Sequence, residues 1–158
     1  AGLGGGSADG AFTLIALNQL FDLRLSKEQL EKYALQLGAD CPFFIENTPK
    51  YVSGIGEKMS SIDLDLSTFE LRFIFPELHI STTEAYAEIT PQLPLKNLLD
   101  LIHQPLKNWK GKVKNDFEIS TFTKHPKLKL MKEQFYADGA IYASMSGSGS
   151  VLYGVFKK

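Results

Sequence analysis

Apolar and polar positions alternate in several different rhythms along the chain. The stretch AFTLIALNQLFDL is apolar on nearly every face of a helical projection, which predicts a buried helix from Asp9 to about Leu23. The next stretch, SKEQLEKYALQLG, is amphipathic: Leu30, Tyr33, Ala34 and Leu37 recur at helical spacing, with Lys27, Glu28, Glu31 and Lys32 on the other side. Ser26 and Gln29 have capping-box spacing at its start, and Gly38 suits its end. ADCPFFI then reads as a turn running into a short apolar stretch. KYVSGIGEKMSSI predicts two short strands around Gly54 and Gly56, and ELRFIFP a strand stopped by Pro76.

The second half is less regular. HISTTEAYAEI offers Ser81 and Glu84 as another capping box opening a helix, and short helices are expected near Leu95–His103 and Leu128–Tyr136. The polar, basic run KNWKGKVKNDFEIS between them reads mostly as loop. AIYASMSGSGSVLYGVF predicts strand, turn and strand, with Ile141–Met145 and Val151–Phe156 as the paired segments. Helices and strands are mixed without strict alternation, so the expected class is α+β.

Composition narrows the function. The chain has 158 residues, 44% hydrophobic and 22% charged, as in an ordinary globular protein. A net charge of −1 argues against nucleic acid or an acidic membrane surface as the partner. One cysteine cannot form an internal disulfide, and the apolar runs fall short of a membrane span. No leader pattern precedes the first glycines, and a cytoplasmic protein is the expectation. His79, His103 and His125 are widely spaced and share no metal-ligand pattern with each other or with Cys41.

Three segments carry candidate chemistry. The chain opens AGLGGGSADG, with four glycines in its first six residues feeding an apolar helix. Such loops normally hang between a strand and a helix. Here the helix follows and the strand does not precede, so the chain is expected to be part of a longer protein. No Lys-Ser or Lys-Thr pair follows the glycines, and Ser7 stands where a dinucleotide fingerprint needs its last glycine. Two readings remain: a plain tight turn with its cap, or backbone N–H groups and a helix N-terminus arranged for an anion. The second segment, SMSGSGS at 144–150, is not a nucleophile elbow, because glycines flank Ser148 directly. A hairpin turn explains it, and so does a phosphate-facing loop with hydroxyls as well as amides. The third is Asp40 in GADCPFF, either a turn residue before Pro42 or a general base for an alcohol attacking a γ-phosphate.

AGLGGGSADG, LGADCPFF, SGIGE and MSGSGS taken together resemble the GHMP kinase superfamily, which includes galactokinase, homoserine kinase and mevalonate kinases. The triple-glycine loop and LGADCPFF are most similar to the branch acting on a cytidine-diphosphate alcohol. The resemblance implies a GHMP-kinase-like α+β fold. Residues 1–66 would be the remainder of an N-terminal lobe with ribosomal-S5-like helices, and 67–158 a ferredoxin-like α/β sandwich. It implies ATP and Mg²⁺ as cofactors and a small-molecule partner, with no nucleic acid and no membrane. Gly2, Leu3, Gly4, Gly5, Gly6 and Ser7 would cradle the ATP phosphates, Ser7 also being the one metal-contact candidate. Asp40 would be the catalytic carboxylate. Ser146, Gly147, Ser148 and Gly149 would form the second glycine motif, running on to Ser150. Thr82 and Tyr86 in STTEAY would touch the cytidine, unless Tyr86 is a helix-face core residue. Asn115 and Asp116 match a family stretch for which structural capping alone is expected. Family members carry an upstream segment with a lysine near the reacting hydroxyl, so the present stretch alone is expected not to turn over. The alternatives are another kinase of the superfamily, of homoserine or phosphomevalonate type, and a non-catalytic phosphate- or RNA-binding module.

Overall fold

The structure is a computed structural model that describes residues 2–54, 56, 58–90 and 96–158. These fall into two compact units, Gly4–Asp63 and Leu64–Lys158, the latter joined by the opening residues through Leu3.

The Gly4–Asp63 unit is built from helices α1 (Gly5–Leu20), α2 (Lys27–Leu37) and α3 (Cys41–Glu46), followed by strands β1 (Lys50–Ser53) and β2 (Lys58–Ser61). Helix α2 starts where its capping box places it. The Ser26 hydroxyl accepts from the Gln29 N–H at 3.3 Å, and the Ser26 N–H donates to Gln29 Oε1 at 2.8 Å. Strands β1 and β2 pair antiparallel, with Val52 opposite Met59. Ile55 and Glu57 of the SGIGE stretch lie outside the described residues.

Helix α1 corrects the sequence reading twice. It begins at Gly5 rather than Asp9, and it is not a buried helix. Of its residues only Ala11 is fully buried, while Phe12, Leu17 and Leu20 are exposed, Leu20 by 75%. A helix apolar all round needs neighbours on every side. Within its unit, α1 packs against α2 and α3, which leaves the remaining faces open.

The Leu64–Lys158 unit carries a three-stranded antiparallel sheet, ordered β3 (Phe69–Ile74), β5 (Leu152–Lys157), β4 (Tyr142–Met145). Both faces of the central strand are covered, as the alternation along β5 requires. Leu152 and Phe156 join Leu128, Phe135, Ala143 and Met145 in one core; Val155 joins Leu106, Trp109 and Tyr142 in the other. Helices α6 (Phe117–Lys124) and α7 (Pro126–Ala137) supply the first side. The second side is closed by α5 (Leu98–Ile102) and a 3-10 turn at Leu106–Asn108. Leu95, where the sequence placed the start of α5, lies outside the described residues. Between β3 and α5, helix α4 (Thr82–Ala87) is capped by the Ser81 hydroxyl, which accepts from the Glu84 N–H at 3.4 Å.

The polar run read mostly as loop also needs correction at its end, because α6 begins inside it at Phe117. The inward residues of α6 include Glu118 and Thr121, both buried. A helix that buries polar groups shows no clean apolar stripe, and periodicity passes over it.

Candidate phosphate-binding and catalytic site

Gly2, at the head of the opening segment, lies against the glycine–serine turn nearly 150 residues away in sequence. Gly2 has φ +98°, and a Cβ on it would lie 2.8 Å from Val151 Cγ2 and 3.3 Å from the Gly149 carbonyl oxygen. Only glycine fits there, on both conformation and space. The opening loop therefore starts directly on the glycine–serine turn, and the exposed Leu3 leads on from it.

That turn joins β4 to β5, so the hairpin reading of it is correct. It is closed by the Gly149 N–H donating to Ser146 O at 3.0 Å and by the Ser146 N–H donating to Val151 O at 2.8 Å. Side chains tie it to its surroundings. Ser150 donates to Leu78 O at 2.5 Å, and the Ser148 hydroxyl lies 3.5 Å from the Thr82 hydroxyl at the start of α4. Gly149 cannot carry a side chain: at φ +99° its Cβ would meet Ile80 Cδ1 and Met145 Sδ, each at 2.9 Å.

Thr82 thus reaches the turn, as two sequence-based candidates brought together. Tyr86, one helical turn further along α4, is 64% exposed and lies edge-on to Phe117 with ring centroids 4.9 Å apart. It is not a core residue.

Asn115 is the residue the sequence reading undervalued. Its Oδ1 does cap, accepting from the Phe117 N–H at 3.0 Å. Its Nδ2, however, donates to Met145 O and Gly147 O, both at 2.8 Å, across 30 residues of sequence. Glu118, one turn on, accepts from the Met145 N–H at 2.8 Å and from the Ser144 hydroxyl at 3.2 Å, and Lys132 Nζ lies 2.5 Å from its other oxygen. The available signal was the NDFE run itself, two polar groups at helical spacing beside an apolar one.

In the Gly4–Asp63 unit, Gly4 is the N-cap of α1, and Gly5, Gly6 and Ser7 form its first turn. No side chain caps this end and no acidic residue sits in the first turn, so the amides and the positive end of the helix dipole stay available to an anion. Asp40 is the exposed N-cap residue of α3, and its carboxylate makes no capping bond. The next residue, Cys41, is buried, with its sulfur 3.8 Å from where a Cβ on Gly10 would sit. The start of α3 is thereby seated beside the first turns of α1. Pro42 follows as a residue that suits a helix's first turn.

Among the described residues no three acidic, histidine or cysteine side chains cluster to hold a metal ion by themselves. The Ser7 hydroxyl, in the first turn of α1, is an oxygen donor of the kind a hard cation takes alongside phosphate oxygens.

Comparison with known proteins defines the class. The family model described as the GHMP kinases N terminal domain matches residues 1–47, and that of the GHMP kinases C terminal matches 94–158. The two together take in well over half of the chain, which belongs to the GHMP kinase family. Several curated relatives carry one name. A 4-diphosphocytidyl-2-C-methyl-D-erythritol kinase of Azobacteroides pseudotrichonymphae is 50% identical over 100% of this chain and 60% of its own length. The protein of the same name from Bacteroides fragilis is 47% identical over 99% of this chain and 57% of its length. A crystal structure of 4-(cytidine 5'-diphospho)-2C-methyl-D-erythritol kinase superposes with a TM-score of 0.76 at 31% identity, covering 98% of this chain and 57% of that one. The chain thus spans somewhat under two thirds of the length of the relatives it matches.

Proposed function

We propose that the chain is part of an ATP-dependent kinase that phosphorylates the 2-hydroxyl of 4-diphosphocytidyl-2-C-methyl-D-erythritol, a step of non-mevalonate isoprenoid biosynthesis. The observation that carries this reading is the meeting of Gly2 with Gly149 and Val151, in a chain whose relatives at 45–50% identity are named for that substrate. Gly2, at the head of the opening loop, is held against the second glycine turn, whose amides and hydroxyls suit a phosphate group.

In this reading the amides of Gly2 to Gly6 and the Ser7 hydroxyl hold the β- and γ-phosphates of ATP. Asp40 accepts the proton of the attacking hydroxyl as its oxygen bonds to the γ-phosphorus and the bond to the β-phosphate oxygen breaks, releasing ADP. Mg²⁺, when bound, would neutralise charge on the phosphates, and the Ser7 hydroxyl would be this chain's oxygen donor to it. Ser146 to Gly149 support the phosphate loop. Thr82 supplies a polar contact and Tyr86, largely exposed, an aromatic ring on which cytosine stacks. The small-molecule substrate is the partner; nucleic acid and membrane have no part.

The test is phosphorus NMR with Mg·ATP and the cytidyl substrate, homoserine and phosphomevalonate serving as controls. The protein is assayed at the full length of its relatives, with the present chain beside it. Product is expected from the cytidyl substrate alone, reduced at least a hundredfold by Asp40→Asn. The present chain by itself is expected to be inactive. Turnover of a control substrate would move the protein to another branch of the family, and full activity of Asp40→Asn would remove the proposed base.

A further inference from the structure

We propose that Asn115 is a positioning residue for the glycine–serine turn, holding it in the shape that serves phosphate and substrate. The proposal rests on the function proposed above.

The geometry is that of a bracket. A carboxamide has two N–H donors, and Asn115 spends both on carbonyls that flank a single residue, Ser146. Met145 ends β4 and Gly147 is the second residue of the turn, so the bracket spans the point where strand becomes turn. The acceptor end of the same carboxamide is fixed by the Phe117 N–H, so the side chain cannot rotate away without breaking three bonds. Glu118 grips the next peptide group back through the Met145 N–H. The Met145 N–H and the Met145 and Gly147 carbonyls are therefore held by two side chains, one just before α6 and one in its first turn.

What the bracket controls lies on its far side. Gly149 O faces Gly2 of the opening loop, and the Ser148 hydroxyl faces Thr82. A turn released at Ser146 would carry both contacts with it. Aspartate is the discriminating replacement. It keeps the size and the acceptor for Phe117, but turns a carboxylate oxygen toward two carbonyl oxygens, where a donor is needed.

The control must remove comparable bonds without touching the turn. The Tyr136 hydroxyl donates to Ala143 O at 3.2 Å and accepts from the Ala143 N–H at 3.1 Å, on the same strand. Tyr136→Phe deletes both. Asn115→Asp and Tyr136→Phe are made in the protein at the full length of its relatives, and thermal unfolding, kinase kinetics and amide hydrogen exchange are measured. Both variants are expected to lower Tm. Asn115→Asp alone is expected to lower kcat/KM tenfold or more and to regain part of it between pH 8 and pH 5.5, as the carboxyl takes up a proton and can donate once. It alone is expected to speed exchange of the Gly149 amide at least tenfold. Equal kinetic losses in the two variants, or a flat pH profile for Asn115→Asp, would reduce Asn115 to a structural residue. An unsubstituted protein that transfers no phosphoryl group would remove the function proposed above. The Gly149 amide would then still decide the bracket, since unchanged exchange in Asn115→Asp overturns it and faster exchange upholds it.

Discussion

The two units differ in how they bury their apolar residues. In Leu64–Lys158 large side chains close two cores on either face of a sheet, and the largest fully buried ones, Leu128, Met145, Leu152 and Val155, all lie there. In Gly4–Asp63 the buried apolar residues are mostly small: Ala11, Ala34 and Cys41 beside Leu30. Its large ones, Phe12, Leu20, Phe21 and Leu37 among them, face outward. The same hydrophobic composition thus gives a filled core in one unit and a thin one in the other. Stability should therefore reside in Leu64–Lys158, and Gly4–Asp63, which carries α1 and Asp40, should be the softer unit.

Cutting a core leucine in each unit is the strongest way to break this contrast. Leu128→Ala should cost about 3–5 kcal/mol, because its site is 1% exposed and closely walled. Leu30→Ala should cost about 2 kcal/mol, at the low end for such changes. Denaturant titration followed by circular dichroism measures both, and a larger loss at Leu30 would reverse the assignment.

Titration should separate the units at opposite ends of the pH scale. Burial raises the Tyr142, Tyr153 and Tyr136 phenols above their usual value. A raised folded pKa means stability that is complete below the ordinary phenol value of about 10 and lost as pH climbs through the folded one. The Leu64–Lys158 unit should thus unfold in alkali, by about 1 kcal/mol or more per unit of pH once a phenol ionises only in the unfolded chain. In the other unit, Lys50 and then Lys27 hold the Glu46 carboxyl below its usual range. A lowered folded pKa means stability present above the ordinary carboxyl value of about 4.3 and lost as pH falls through the folded one. That acid effect should be small, since the Glu46 carboxylate stays partly open to solvent. Thermal scans from pH 3 to 11, with Tyr142→Phe and Glu46→Gln, test both directions; Tyr142→Phe should blunt the alkaline loss and Glu46→Gln the acid one.

The smallest expected effect sharpens the contrast from the other side. Leu20→Ser, on the open face of α1, should change stability by less than about 0.5 kcal/mol. It should also reduce binding of a hydrophobic dye, because the side chain contributes exposed apolar surface and no core. A loss of 2 kcal/mol or more would mean that this face is packed in solution.

Local chemistry was legible wherever cause and effect are close in the chain. Ser26 and Gln29 announced the start of α2, Pro76 lies just beyond β3, and the alternation around SMSGSGS marked a hairpin. The glycine clusters and Asp40 were marked as candidates by residue type alone. Helix α6 was missed because its buried side includes a glutamate and a threonine, whose partners sit on β4 rather than on the helix. The openness of α1 was missed because periodicity reports which faces are apolar and says nothing of what covers them. The tertiary structure alone decided that Gly2 rests on Gly149 and Val151, that Thr82 reaches Ser148, and that Asn115 brackets Ser146. Each of these joins groups at least 30 residues apart through a hydrogen bond or a close approach, and such a contact leaves no spacing in the sequence by which it could be read.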